Sequence, residues 1–300
     1  MSELVLYADD LRIRGFSDAT IYMYTQLLKR VDFELPGTIR GVKAWLGKRR
    51  ATVSAASLCC DVRALKSYSS WWAEEWGHED PLAGLRHPKQ PTAAPGRIAD
   101  EDDIRRVLAQ LKKARHPNDI RDYAMLATLK YTGMRRGELV RLTVDDIDFD
   151  ARRITVVAGK NGEARIVPLH PFVAVAIRRY LTHVRDTHRH SDLPALWLGR
   201  AGGLRGDAIT KIFIRISKLA ELDHPLETHQ LRRLLAKTWV TEGGSDDALM
   251  MIAGWKSPTM PARYRAEART DIAYQQYDRI FEPSGPVARV KPGRPRSPAA

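Results

Sequence analysis

Four short segments carry side chains whose types and spacing equip them for chemistry. In Tyr131-Thr132-Gly133-Met134-Arg135-Arg136-Gly137-Glu138-Leu139 a glycine turn leads into a helix and presents Arg135 near its N-terminus. Glu138, three residues on, is placed to hold that guanidinium. Lys160 lies in Gly159-Lys160-Asn161-Gly162 between two β-rich runs, where Asn-Gly signals a hairpin and a long amine at the tip reaches outward. His229-Gln230-Leu231-Arg232 sets an imidazole and a guanidinium on one helix face. Gly254-Trp255 is followed by Tyr264, nine residues after the tryptophan. Together these groups offer anion binding, proton transfer and a phenolic nucleophile. Singly, each has a plainer reading: a surface ion pair, a solubilising turn lysine, a chance His-x-x-Arg, and a tyrosine rivalled by Tyr274 and Tyr277. Their order along one chain makes chance a poor explanation.

The charge balance indicates the kind of partner. Lys and Arg number 49 against 36 Asp and Glu, a net +13 with a pI near 9.9, which points to a polyanion. Residues 1–90 carry 13 basic and 11 acidic groups, 91–281 carry 32 and 24, and 282–300 carry 4 and 1, so the excess lies beyond the first ninety. Arginines outnumber lysines by 35 to 14, which suits forked phosphate contacts and equally a GC-rich genome. A 44% hydrophobic and 28% charged composition excludes wholesale disorder. No window reaches the roughly 18 apolar residues of a membrane helix. The acidic start, Met1 to Asp10, does not read as a signal peptide. Adjacent Cys59 and Cys60 provide neither a disulfide framework nor a cysteine zinc site, and His183, His188 and His190 lack the cysteine or carboxylate pattern of one. An intracellular protein is expected.

The elements that must position these groups are mostly helical. Ser2, Ser17, Thr38 and Ser54 are expected to cap the helices of the first ninety residues, the last running to Trp76 before Gly77. Leu58, Val62, Leu65, Tyr68 and Trp72 keep helical spacing on it and read as core. Lys48, Arg49, Arg50, Arg63 and Lys66 form a basic face that fits DNA contact or simple solvation. Three prolines between His87 and Gly96 mark a linker at 91–97. Beyond it, helices are predicted at about 100–113, 118–131, 171–185, 206–221, 229–242, 245–253 and 271–281, with strands at 153–157 and 164–169. From Glu282 five prolines and no periodicity predict a disordered basic tail, 282–300.

In this order the four segments resemble the tyrosine recombinases of the phage-integrase family, which includes the Xer recombinases. Thr132-Gly133-Met134-Arg135-x-x-Glu138-Leu139 resembles the family's first-arginine box. Gly159-Lys160, followed by Arg165-Ile166-Val167-Pro168-Leu169, resembles its hairpin lysine, and His229-x-Leu231-Arg232 its His-x-Leu-Arg box. Tyr264 stands at the spacing of its nucleophile, and Asp80-Pro81 is similar to the Asn-Pro that closes its N-terminal domain. Arg233 replaces a common His, Trp255 a usual second His, and Met260-Pro261 a usual Thr-Thr. An indole N–H donates a hydrogen bond but cannot transfer a proton, so Trp255 is expected to bind phosphate.

The resemblance implies a mainly α fold with a small antiparallel β-sheet (α+β). A SAM-like helical core-type DNA-binding domain would occupy 1–90 and a catalytic domain 98–281. It implies breakage and rejoining of DNA through a 3′-phosphotyrosine, with Tyr264 the nucleophile, Arg135 and Arg232 on the non-bridging oxygens, Lys160 protonating the 5′-oxygen, and His229 accepting the tyrosine proton or binding phosphate. Such chemistry requires no metal and no cofactor. Implied partners are double-stranded DNA at core recombination sites, a homo-tetramer on two such sites, and, as an open question, a DNA-bending accessory protein. The implied setting is the bacterial cytoplasm, at the nucleoid. Arg294 and Arg296, in Lys-Pro-Gly-Arg-Pro-Arg, resemble an AT-hook and fit a generic tether as well. Integration and excision of a phage or other mobile element is the expected task, with Xer-type chromosome-dimer resolution the alternative. A DNA-binding protein that has lost catalysis would lack one of the five groups Arg135, Lys160, His229, Arg232 and Tyr264, and all are present. A type IB topoisomerase would share the chemistry but act without paired sites.

Overall fold

The computed structural model describes residues 2–89, 96–113, 116–157 and 163–281. Lys160, Arg294 and Arg296, most of the expected linker and the expected tail therefore lie outside the described residues. The chain divides into two compact units, residues 1–94 and 95–300.

Among the described residues the first unit holds four helices: α1 (Glu3–Ile13), α2 (Asp18–Leu28), α3 (Ile39–Arg49) and α4 (Ala55–Trp76). Side-chain oxygens of Ser17, Thr38 and Ser54 accept the backbone N–H of Thr20, Gly41 and Ser57, satisfying amides that a helix start leaves unpaired. Ser2 stands at the start of α1 but its side chain makes no such bond. Gly77 takes the left-handed conformation that stops α4. Tyr7, Leu11, Val62, Leu65, Tyr68 and Trp71 form the core, with the Tyr7 and Tyr68 rings edge to face at 5.2 Å. Three of the five basic residues expected at DNA have partners within this unit. Lys66 Nζ donates to the carbonyls of Leu82, Ala83 and Leu85, holding the segment after α4. Arg49 is bonded to buried Asp61 at 2.7 Å with its guanidinium over Trp45. Lys48 pairs with Asp32 at the surface, and Arg50 and Arg63 are exposed.

The second unit holds α5 (Glu101–Lys113), α6 (Pro117–Thr132), α7 (Arg136–Arg141), β1 (Ile147–Asp148), β2 (Arg153–Val157), β3 (Ala164–Pro168), α8 (Pro171–Tyr180), β4 (Leu198–Gly199), β5 (Gly202–Gly203), α9 (Gly206–Leu219), α10 (Thr228–Thr241), α11 (Asp246–Ala253), α12 (Thr259–Glu267) and α13 (Arg269–Ile280). β1, β2 and β3 form one antiparallel sheet in that order, with Arg153 opposite Pro168 and Val157 opposite Ala164. Ile154, Val156 and Val167 point from it into a core shared with Leu126, Leu129, Ile177, Trp197, Phe213 and Leu231. A smaller cluster joins Ala236, Val240, Leu249, Ala253, Tyr264 and Ala268, and so fixes α10, α11 and α12 to one another.

Besides the uncapped start of α1, three elements differ from the sequence expectations. The helix expected over 171–185 is α-helical only to Tyr180, and residues Leu181–Arg185 form a wider π turn. The two-residue strands β1, β4 and β5 are too short to show alternation. Helix α12 was not expected, because its residues carry no apolar stripe and only Pro261 and Tyr264 are buried. Pro261 falls in the first turn, where its missing N–H costs nothing. Among the described residues no helix is long and apolar enough to cross a membrane.

Candidate active site

Gly133 ends α6 with a φ of +57°, and a Cβ there would stand 2.5 Å from Leu235 Cδ2. That turn delivers Arg135 to the start of α7. Its backbone N–H donates to Glu138 Oε2 at 2.7 Å and its Nη1 to Oε1 at 2.9 Å, the pairing expected from their spacing. Glu138 is only 3% exposed, a costly place for a carboxylate without partners. A second guanidinium meets it there. Arg165, on β3, gives Nη1 to Oε1 at 3.0 Å and Nη2 to Oε2 at 2.7 Å. Burial pushes the Glu138 carboxyl up, but hydrogen bonds from Arg165 and from the Arg135 backbone outweigh it and hold the pKa at about 2.

Arg232 is buried at 6% exposure on α10. Its Nη1 donates to the Gly133 carbonyl at 2.8 Å and its Nη2 to the Ala253 carbonyl at 2.6 Å. Burial, then the neighbouring charge of Arg135, lowers its pKa to about 10, so it remains a cation at neutral pH. Three successive carbonyls at the end of α11 each receive one arginine: Ile252 takes Arg165 Nε at 2.9 Å, Ala253 takes Arg232, and Gly254 takes Arg135 Nη2 at 3.3 Å. A helix C-terminus carries partial negative charge and unpaired carbonyls, so it suits a cluster of cations.

Gly254, at φ +65°, turns the chain out of α11 and presents Trp255. The indole lies 5.0 Å from the Arg232 guanidinium on one contact and stacks on Tyr264 at 5.4 Å and 11°. Arg135, His229, Arg232, Trp255 and Tyr264 line one cleft of ≈ 390 Å³, together with Gly96, Arg233, Met260, Arg263 and Glu267. Five of the six expected catalytic residues thus meet, and the sixth, Lys160, is outside the described residues. Burial, then the charges of Arg232, Arg233, Arg135 and Arg136, lowers the pKa of His229, leaving a neutral imidazole able to take a proton. Burial raises that of Tyr264 while Arg233 and Arg232 pull it down, so the phenol is protonated at neutral pH and needs assistance to attack. The rival tyrosines, Tyr274 and Tyr277, are exposed on α13 and absent from the cleft lining.

Sequence reasoning gave no role to Arg165 or to Arg233, and overlooked Arg263. Arg165 follows Lys160 in the hairpin segment, yet its partner Glu138 is 27 residues away on α7, and only the tertiary fold brings the two together. Arg233 directly follows Arg232, but neighbouring helix residues do not share a face, so only the folded structure shows that both line the cleft.

Residues 97–270 match the phage integrase family. Tyrosine recombinase XerC of Corynebacterium glutamicum is 32% identical over 251 residues, spanning 81% of this chain and 77% of the relative. A Tn1549 transposon integrase in complex with a circular intermediate DNA has the same fold, with a TM-score of 0.70 at 19% identity over 93% of this chain and 99% of that one. A lambda integrase tetramer bound to a Holliday junction gives a TM-score of 0.65 at 20% identity over 87% and 76%.

Replacing Glu138 by Gln leaves two guanidiniums facing a neutral group. The expected loss is about 3 kcal/mol at pH 7, read from urea unfolding. Because the folded pKa of Glu138, about 2, lies below its ordinary 4.5, the carboxylate's contribution is complete above pH 4.5 and fades below it. The gap between the two proteins therefore narrows as pH falls through that range, and a gap independent of pH would contradict the assignment.

Proposed function

The chain belongs to the phage integrase family and is a site-specific tyrosine recombinase, and from that premise we propose that its cleft cuts and rejoins duplex DNA through Tyr264. The observation that carries the assignment of residues is the convergence of Arg135, His229, Arg232, Trp255 and Tyr264 on one cleft. Tyr264 Oη attacks the scissile phosphorus while His229 takes the phenolic proton. The bond from phosphorus to the 5′-oxygen breaks, that oxygen is protonated by Lys160, and a 3′-phosphotyrosine remains. Arg135 and Arg232 stabilise the charge that builds on the non-bridging oxygens, and the Trp255 N–H adds a hydrogen bond. The energy of the broken bond is kept in the phosphotyrosine, and a free 5′-hydroxyl of the partner strand reverses the step.

Double-stranded DNA is the substrate, gripped by the helical unit and the catalytic unit together, with four protomers on two sites. α13 is the element that docks on a neighbouring copy: it buries none of its side chains and exposes Tyr274, Tyr277, Ile280 and, just beyond, Phe281. The task is integration or excision of a mobile element. Xer-type resolution is the second reading, favoured by the corynebacterial XerC relative. The site recovered from trapped DNA separates the two.

With nicked duplexes from its genome of origin, the protein is expected to form an SDS-resistant covalent adduct that Tyr264→Phe abolishes. An adduct with the Phe protein would refute Tyr264 as nucleophile. The rate of adduct formation should fall in acid as His229 is protonated, with a midpoint below the ordinary imidazole pKa. His229→Gln should remove that acid limb, and its persistence would assign the base elsewhere. A chain lacking residues 271–300 should still form the adduct yet lose complete strand exchange between two sites. Efficient exchange by the shortened chain would rule out docking by α13.

A further inference from the structure

We propose that Arg165 is a positioning residue for strand cleavage, setting the reach of Arg135 toward the scissile phosphate by fixing the carboxylate they share. This rests on the recombinase reading above. Arg165 has a side chain 11% exposed, is not among the residues lining the cleft, and commits all three guanidinium nitrogens to acceptors inside the protein. Each oxygen of Glu138 is divided between the two arginines. Oε1 takes Nη1 of Arg165 and Nη1 of Arg135, while Oε2 takes Nη2 of Arg165 and the backbone N–H of Arg135. Four donors meet the roughly four lone-pair sites of a carboxylate, so its plane is fully determined.

The terminal torsion of a glutamate is soft, and nothing intrinsic to the side chain selects one orientation. Without the planar fork of Arg165, the carboxylate plane follows Arg135 alone and both turn together. Arg165 also anchors the other side of Arg135. Its Nε bonds the carbonyl of Ile252, two residues before the Gly254 carbonyl on which Arg135 rests. A Cβ at Gly254 would come within 2.8 Å of the Arg165 guanidinium, so the turn that presents Trp255 closes directly on it. A lysine at 165 keeps the positive charge but not the fork.

The test compares wild type, Arg165→Lys and Arg165→Gln on a nicked duplex bearing the site recovered from wild-type adducts. Three quantities are read: the single-turnover rate of adduct formation at saturating protein, the DNA Kd, and the urea midpoint. A misplacement of Arg135 by about 1 Å should slow both variants by about 100-fold with DNA affinity changed by no more than about threefold. The second substrate carries a methylphosphonate at the scissile position, which removes a negative non-bridging oxygen and with it much of the demand for a guanidinium. There the deficit should shrink to less than about tenfold. A purely structural role would slow both substrates equally, and that result, with or without a lowered midpoint, overturns the proposal. So does a Lys variant within about threefold of wild type on the phosphate duplex. The wild-type adduct, run alongside with Tyr264→Phe, tests the recombinase reading separately, since the proposal concerns only the ratio of variant to wild type.

Discussion

Like charges repel, and the second unit gathers Arg135 and Arg165 on a single buried carboxylate, with Arg232 close enough to feel its charge. Glu138 alone neutralises one of the three. The remaining compensation comes from the end of α11, where three consecutive carbonyls and the local helix dipole face the guanidiniums. That balance leaves Arg135 with part of its surface open and Arg232 buried beneath Trp255. The site is assembled with an excess of positive charge, which on the proposed reading an arriving phosphate completes. Such preorganisation spares the reaction the cost of orienting dipoles at the moment charge develops.

The same excess shapes the other two groups. It adds to the burial that lowers the pKa of His229 and opposes the burial that raises that of Tyr264. The net shifts, His229 down and Tyr264 up, widen the gap in proton affinity between the proposed base and nucleophile, so loss of the phenolic proton has to be coupled to attack on phosphorus. The stacked indole of Trp255 ties the two ends of this arrangement, touching Arg232 on one contact and Tyr264 on the other.

Much of this was legible in the sequence because the relevant spacings are local. Arg135 and Glu138 are separated by less than a helical turn, His229 and Arg232 likewise, and both pairs behave as helical geometry dictates. The hairpin and most helices were marked by Asn-Gly, by caps and by apolar periodicity. What stayed hidden has no local signature. α12 buries too few residues to show a stripe, and Arg165 reveals its role only when the tertiary fold brings it to Glu138. In the helical unit, Lys66 and Arg49 belong to a basic run in sequence, yet folding gives them carbonyls and a carboxylate of their own. A charge pattern records where cations are, not which have already found partners.

The acceptors at the end of α11 are main-chain atoms. A carbonyl belongs to every residue, so no substitution at Ile252 or Ala253 removes it, provided the helix stops where it does. Drift is therefore free to rewrite those side chains within the limits of packing while the electrostatic anchor is inherited intact. Gly254 is the exception, since its left-handed turn and the closeness of Arg165 leave no room for a Cβ. A comparison of letters across distant descendants would register the arginines, the glutamate and that glycine. It would pass over the two positions beside them whose oxygens do as much of the holding.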